Sequence, residues 1–186
     1  MYVNKDLPPH LGGHDNETHL DNNIVDYMIK KYQIKSFLDI GCGPGGMCEL
    51  AASKGLKVLG VDGDFTIDRK HPCIVHDYTL GKPEINENFD LAWSCEFLEH
   101  VEEEYMENYM DSFQKCKFVI ATHAYPGQWG HHHVNCKDVL YWKNNFAKFG
   151  FKFSGIESLK IRDLSSMKAD HLRRSGCFFI NENFGK

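Results

Sequence analysis

The stretch that most limits what this chain can become is Phe37-Leu38-Asp39-Ile40-Gly41-Cys42-Gly43-Pro44-Gly45-Gly46. An apolar run ends beside an acid, a glycine-rich turn follows, and residues 47–53 read as a helix. Strand, turn and helix N-terminus in that order are how an α/β sheet builds a cofactor site. Glycines let the backbone approach a ligand and adopt conformations that a Cβ forbids.

The acid narrows the ligand. Gly41, Gly43 and Gly46 satisfy G-x-G-x-x-G, and Asp62 follows about 20 residues on, as in nicotinamide-binding sites. A carboxylate at Asp39, two residues before the first glycine, would repel a pyrophosphate. It suits a ligand that carries an ammonium and a sulfonium, and S-adenosylmethionine carries both.

With Asp39, Gly41, Gly43 and Gly45 at those positions, the sequence resembles the class I S-adenosylmethionine-dependent methyltransferases, whose first motif reads acid-x-Gly-x-Gly-x-Gly. Residues 58–64 and 89–100 extend the resemblance, the latter with Phe89-Asp90-Leu91-Ala92 and Leu98-Glu99-His100. The pattern also looks like small stand-alone members encoded by bacteriophages. The resemblance implies a Rossmann-like seven-stranded mixed sheet, mostly parallel with an antiparallel last strand and helices on both faces. It assigns Asp62 to the ribose hydroxyls, with Gly63 and Asp64 lining the turn. It gives Asp77 the adenine amino group, with Tyr78 or His76 flanking the base. It places the ligand loop after strand four at Cys95 and Glu96.

Composition fits one domain over residues 1–186. The hydrophobic content of 42% supports a sizeable core. The net charge of −5 does not favour nucleic acid in bulk. Residues 148–186 are locally basic, which keeps RNA open as a partner. The seven cysteines are odd in number and scattered, which fits free thiols in a reducing compartment. The first residues carry no apolar leader core and no run is long enough to span a bilayer, so a soluble, cytoplasmic protein is expected.

Along the chain, residues 1–17 read as either a lid or a tail. A helix over about 20–32 can be capped by Thr18 or Asp21. Only ten residues, 63–72, join strand two to strand three, so the usual crossover helix shrinks to a turn. A helix is expected over 101–116 and another over 138–149, and 151–159 and 176–184 read as the last two strands. Between them, Ser165, Ser166, Met167 and His171 are candidates for a pocket rim.

The loop 123–136 leaves strand five with His123, His131, His132, His133 and Cys136. Adjacent histidines rarely converge on one ion and the i, i+4 spacing of helical zinc sites is missing, so no metal is expected. A histidine titrates near neutrality, which suits orienting or deprotonating an acceptor. The candidates are His123, His131 and His133, with His100 behind them. The D/N-P-P-Y signature of amino-methylating nucleic-acid enzymes is absent after strand four, where Ser94-Cys95-Glu96-Phe97 stands. A small-molecule or modest polar acceptor is therefore expected over duplex DNA. Two other classes stay open: an NAD-dependent oxidoreductase, for which 186 residues leave little substrate-holding region, and a non-catalytic S-adenosylmethionine-binding module.

Overall fold

A computed structural model describes residues 7–186. Residues 1–6 of the expected lid or tail lie outside the described residues. The elements in order are α1 (Asn22–Tyr32), β1 (Ser36–Ile40), α2 (Gly46–Ser53), β2 (Lys57–Asp62), β3 (Cys73–Val75), β4 (Phe89–Ser94), α3 (Met106–Gln114), β5 (Cys116–Ala121), α4 (Val139–Lys148), β6 (Phe151–Phe153), α5 (Gly155–Leu164), α6 (His171–Ser175) and β7 (Cys177–Asn181). The strands form one seven-stranded sheet in the order β3-β2-β1-β4-β5-β7-β6. β1 pairs in parallel with β2 and β4, whereas β7 runs antiparallel to both β5 and β6.

The central strands are mostly apolar because both of their faces are covered, with Asp39 in β1 and Asp90 in β4 as interruptions. Side chains alternate between the faces. Leu38, Ile40, Val119, Ala121 and Phe179 pack with Tyr109, Phe113, Trp142 and Phe146 from α3 and α4. Phe37, Leu91, Trp93, Phe118 and Phe178 pack on the other face with Ile24 and Met28 of α1, Met47 of α2 and Ile161 of α5. Phe146 and Phe179 stack with centroids 4.1 Å apart. Asp21 caps α1, accepting from the Ile24 N–H at 3.2 Å. No helix among the described residues is long and apolar enough to cross a membrane.

Three stretches differ from or refine the expectation. The strand expected over 151–159 stops at Phe153, and α5 begins at Gly155. Ser154-Gly155-Ile156-Glu157 has the spacing of a capping box, and Ser154 Oγ accepts from the Glu157 N–H at 3.3 Å. Ser158 and Ile161, three apart, are then the residues that α5 buries. Ser154→Ala is expected to lower unfolding free energy by about 1 kcal/mol, measurable as a shifted urea midpoint with unchanged slope. The helix expected from 101 begins only at Met106, because the single turns Leu98–His100 and Glu103–Tyr105 first carry the chain across the sheet's end.

The β2–β3 crossover carries no helix, as its length dictates. Side chains take over there. Arg69 donates to the Gly43 carbonyl at 2.6 Å, the Asp64 carbonyl at 2.9 Å and Asp62 Oδ1 at 3.1 Å. His71 fills the space left by Gly45 and Gly60: an added Cβ would lie 1.6 Å from its Nε2 at Gly45 and 2.9 Å from its Cε1 at Gly60.

Candidate functional site

The C-terminal ends of β1, β2 and β4, with the loop after β5, surround a cavity of about 560 Å³. That end is where open α/β sheets bind ligands. On one side the turn after β1 holds φ of +76°, +50° and +89° at Gly41, Gly43 and Gly45. Gly41 and Gly43 line the cavity, and Phe97 lies so close to Gly41 that a Cβ would meet its ring at 2.6 Å. Gly45 is turned away, towards His71, as the N-cap of α2.

Asp39 is 3% exposed, and its carboxylate meets only the Cys48 thiol, at 3.9 Å. Burial, with the charge of Asp62 added, pushes its pKa well above the carboxylate range. A buried acid this poorly answered fits a cationic ligand group, which would restore its ionised form. Asp62 sits at the end of β2. Its Oδ2 accepts from the Gly43 N–H at 2.7 Å and its Oδ1 from the Asp64 N–H at 2.8 Å, so it braces the turn while lining the cavity with Gly63. Asp77 and Tyr78 close the far end. The Tyr78 ring packs edge-on against Phe97 and Tyr109, and its hydroxyl pairs with Ser112 Oγ at 2.9 Å. Asp64 does not line the cavity and reaches it through His14.

Residues 10–19 form a strap across the mouth. His10 Nε2 donates to Asp77 Oδ2 at 2.8 Å and His14 Nε2 to Asp64 Oδ2 at 3.0 Å. Leu11 seats on Gly63, and the Leu11 carbonyl accepts from His131 Nε2 at 3.3 Å. Thr18 Oγ1 accepts from the Gly46 N–H, so Thr18 serves α2 rather than α1. Burial raises the Asp64 pKa, but hydrogen bonds from Thr66 and His14 outweigh it. Burial likewise raises the Asp77 pKa, but hydrogen bonds from His10 and Thr79 outweigh it. Both carboxyls therefore end below their usual range. Groups lowered in this way stabilise the fold above the unfolded value, about pH 4, and lose that contribution as pH falls through the folded value. The double variant H10A/H14A should accordingly unfold in acid at a higher pH than the wild type, as followed by circular dichroism.

The opposite wall is built from the loop after β4. Glu96 holds a φ of +56°, rare outside glycine. Its N–H donates to Thr122 Oγ1 at 2.8 Å, and its Oε2 stands 3.1 Å from His171 Nδ1. Burial raises its pKa, but His171 outweighs that effect and holds it low. His19 stacks on His171, with centroids 4.6 Å apart. Cys95 lines the cavity, and burial pushes its thiol up.

Glu99 is fully buried, and neither carboxylate oxygen has a partner. Burial and the Glu96 charge push its pKa up to about 8. One ligating atom from each of Glu99, His100 and His133 lies within 4.8 Å of the other two. The Glu99 carbonyl accepts from the Val134 and Asn135 N–H groups, each at 3.0 Å, which pins the histidine loop to this turn. His100 Nδ1 donates to the His131 carbonyl at 2.7 Å and His133 Nδ1 to the Gln128 carbonyl at 3.0 Å. Those carbonyls fix the proton on Nδ1 and leave each Nε2 with a lone pair, the tautomer of a metal-ligating imidazole. Burial pushes the His100 pKa down to about 4, which keeps the ring neutral.

Of the four histidines expected near the acceptor, His100 and His133 thus converge, and His131 ties down the strap. His123 joins neither group: its ring is buried against Tyr125 and Trp142 and does not line the cavity. Of the expected rim, only His171 reaches the cavity. Ser165 and Ser166 bind Asp21, and Met167 is buried in the core. Glu99 escapes a reading of residue types because Glu102, Glu103 and Glu104 make acids common there. Its only signal is the Glu96-x-x-Glu99-His100 spacing. Arg69 and Arg174 also join the site unannounced.

The fold and the cofactor half define a class I S-adenosylmethionine-dependent methyltransferase. The chain belongs to the methyltransferase-domain family, whose pattern matches residues 14–153. A ubiquinone biosynthesis O-methyltransferase of Rhodopseudomonas palustris (strain BisB5) is 36% identical over 75 residues, 34% of this chain and 29% of that protein. The match thus spans under a third of that relative's length. Among solved structures, a TehB-like S-adenosylmethionine-dependent methyltransferase from Corynebacterium glutamicum ATCC 13032 aligns with a TM-score of 0.58 at 19% identity, covering 79% of this chain and 80% of that one. The methyltransferase domain of bacterial CtHen1-C aligns with a TM-score of 0.58 at 15% identity, covering 86% and 96%. Magnesium protoporphyrin IX methyltransferase from Synechocystis PCC 6803, with bound S-adenosylmethionine, aligns with a TM-score of 0.55 at 12% identity, covering 84% and 74%. At such identities the structures speak for the fold. The chain thus carries a methyltransferase domain over residues 14–153.

Proposed function

We propose that this enzyme methylates a hydroxyl oxygen of a small polar acceptor, and that Glu99, His100 and His133 hold a divalent cation beside that oxygen. The observation that carries this reading is Glu99, a buried carboxylate with two oxygens unpartnered among the described residues, next to two imidazoles. A buried charge is retained when it is paired or ligates a metal. One carboxylate and two imidazoles suit Mn²⁺, Fe²⁺, Co²⁺ or Zn²⁺. A cation there supplies Lewis acidity, which lowers the pKa of a neighbouring hydroxyl. The curated relative is named an O-methyltransferase, which agrees with an oxygen acceptor.

Cofactor residues follow the geometry. Asp39 answers the ammonium and sulfonium, Gly41 and Gly43 allow close backbone approach, and Asp62 with Gly63 faces the ribose. Asp77 and Tyr78 flank the adenine, Cys95 and Glu96 meet the methionine end, and Gly45 and Asp64 shape the cradle from behind. The bound cofactor supplies an electrophilic methyl group on a good leaving group. The chain's own task is to align the accepting oxygen with it and exclude water. The strap from His10 to His19 roofs that arrangement and favours a small acceptor over a duplex. We read residues 1–186 as one domain, because all seven strands share one sheet. Seven free thiols agree with a reducing, cytoplasmic setting.

The test is incubation with methyl-labelled cofactor and fractionated small-molecule extract, with Mn²⁺, Co²⁺, Mg²⁺ or EDTA, read by mass spectrometry. An O-methylated product that disappears in EDTA is expected. Equal product in EDTA refutes the cation, and an N- or C-methylated product refutes the hydroxyl.

A further inference from the structure

The chain has four arginines, at 69, 162, 173 and 174. Three of them spend their donors on backbone carbonyls. Arg69 serves Gly43 and Asp64, Arg162 serves Gly176, and Arg173 serves Met167, Lys168 and Ala169. Arg174 differs. Its Nε is buried and has no partner among the described residues. Its carboxylate contact is Asp170, whose Oδ1 lies 3.7 Å from Nη1 and whose side chain is 63% exposed. That distance exceeds a hydrogen bond, and an exposed pair of this kind contributes little.

Arg174 is also the one Lys or Arg among the described residues that line the cavity. Four acids of the walls already have basic partners: Asp62 has Arg69, Asp77 has His10, Glu96 has His171 and Glu102 has His132. α6, which carries Arg174, is held in place. The Tyr125 hydroxyl donates to the Arg174 carbonyl at 3.0 Å, and the His123 N–H donates to Ser175 Oγ at 3.2 Å. Three residues before it, His171 faces Glu96 in the acceptor wall.

We propose that Arg174 is the specificity residue of this site, an anion clamp for an acceptor that carries a phosphate or carboxylate besides its reacting hydroxyl. This rests on the acceptor wall assigned above. The planar guanidinium fork matches both anions, and a buried donor without a partner is the vacancy such a group fills.

The test uses glycerol 3-phosphate, glycerate and glycerol as hydroxyl-bearing probes. Each is titrated calorimetrically into the enzyme holding S-adenosylhomocysteine, with Mn²⁺ and again in EDTA. One or both anionic probes should bind at least tenfold more tightly than glycerol. R174Q should lose that margin while binding Mn²⁺ and S-adenosylhomocysteine as the wild type does, and R174K should recover part of it. The two anions separate a phosphate acceptor from a carboxylate one. Equal binding of anions by wild type and R174Q overturns the clamp. So does a loss in R174Q confined to S-adenosylhomocysteine, which would give Arg174 to the cofactor's own carboxylate. If wild type fails to bind Mn²⁺, the cation reading falls, and the EDTA series still decides the clamp.

Discussion

Asp39→Asn should weaken S-adenosylmethionine binding roughly a hundredfold, about 2–3 kcal/mol, while the thermal midpoint of the cofactor-free protein holds or rises. The two effects have one cause. The carboxylate at the end of β1 is 3% exposed and is answered only by a thiol at 3.9 Å, so keeping it there costs the empty fold free energy. A cationic ligand repays that cost when it binds, and an amide of the same shape does not. Titration calorimetry and differential scanning calorimetry on one variant measure both sides. Affinity within threefold of wild type would remove Asp39 from the cofactor contact. A large fall in melting temperature would make it a structural acid.

Glu99→Gln should reduce turnover about a thousandfold, some 4 kcal/mol of barrier, and abolish high-affinity Mn²⁺ binding. The amide keeps the volume of the carboxyl and removes the charge that gathers the cation with His100 and His133. S-adenosylmethionine affinity should stay close to wild type, since Glu99 does not line the cavity. Glu99→Asp, shorter by one methylene, should keep the charge and regain part of the binding. The measurement is metal affinity by electron paramagnetic resonance alongside single-turnover methyl transfer. If E99Q turns over normally and binds Mn²⁺ like wild type, Glu99 is a buried structural acid and the cation site is lost with it.

What the sequence discloses depends on whether a feature is local. The central strands are legible because strands covered on both faces are largely apolar, as at Phe37, Leu38 and Ile40 and at Phe118 to Ala121. The short crossover is legible because chain length alone forbids a full helix. The cofactor turn is legible because glycine is needed where φ is positive, and an acid beside it excludes a pyrophosphate. Tertiary convergence is not legible in this way. Glu99 and His133 meet because a backbone carbonyl clamps the loop, and no residue type announces that contact. His123 looks equivalent to its neighbours in the text of the chain, yet Tyr125 and Trp142 bury it. Residues 155–159, expected as strand, belong to α5 for a local reason. Ser154 and Glu157 spell a helix start, and Ile156 and Leu159, which look like core residues, stay exposed on that helix.

The crossover between β2 and β3 has a further consequence. No helix covers that edge, and β3 is three residues long with none of them fully buried. Arg69 holds it by charge and hydrogen bonds where a helix would hold it by apolar contact. Opening this edge therefore exposes little oily surface. The energy of such an opening scarcely changes with urea, whereas global unfolding falls steeply with it. The rim beside Asp62 should thus open as a separate unit of stability held by its polar clasp, and hydrogen exchange that is insensitive to urea there would show it.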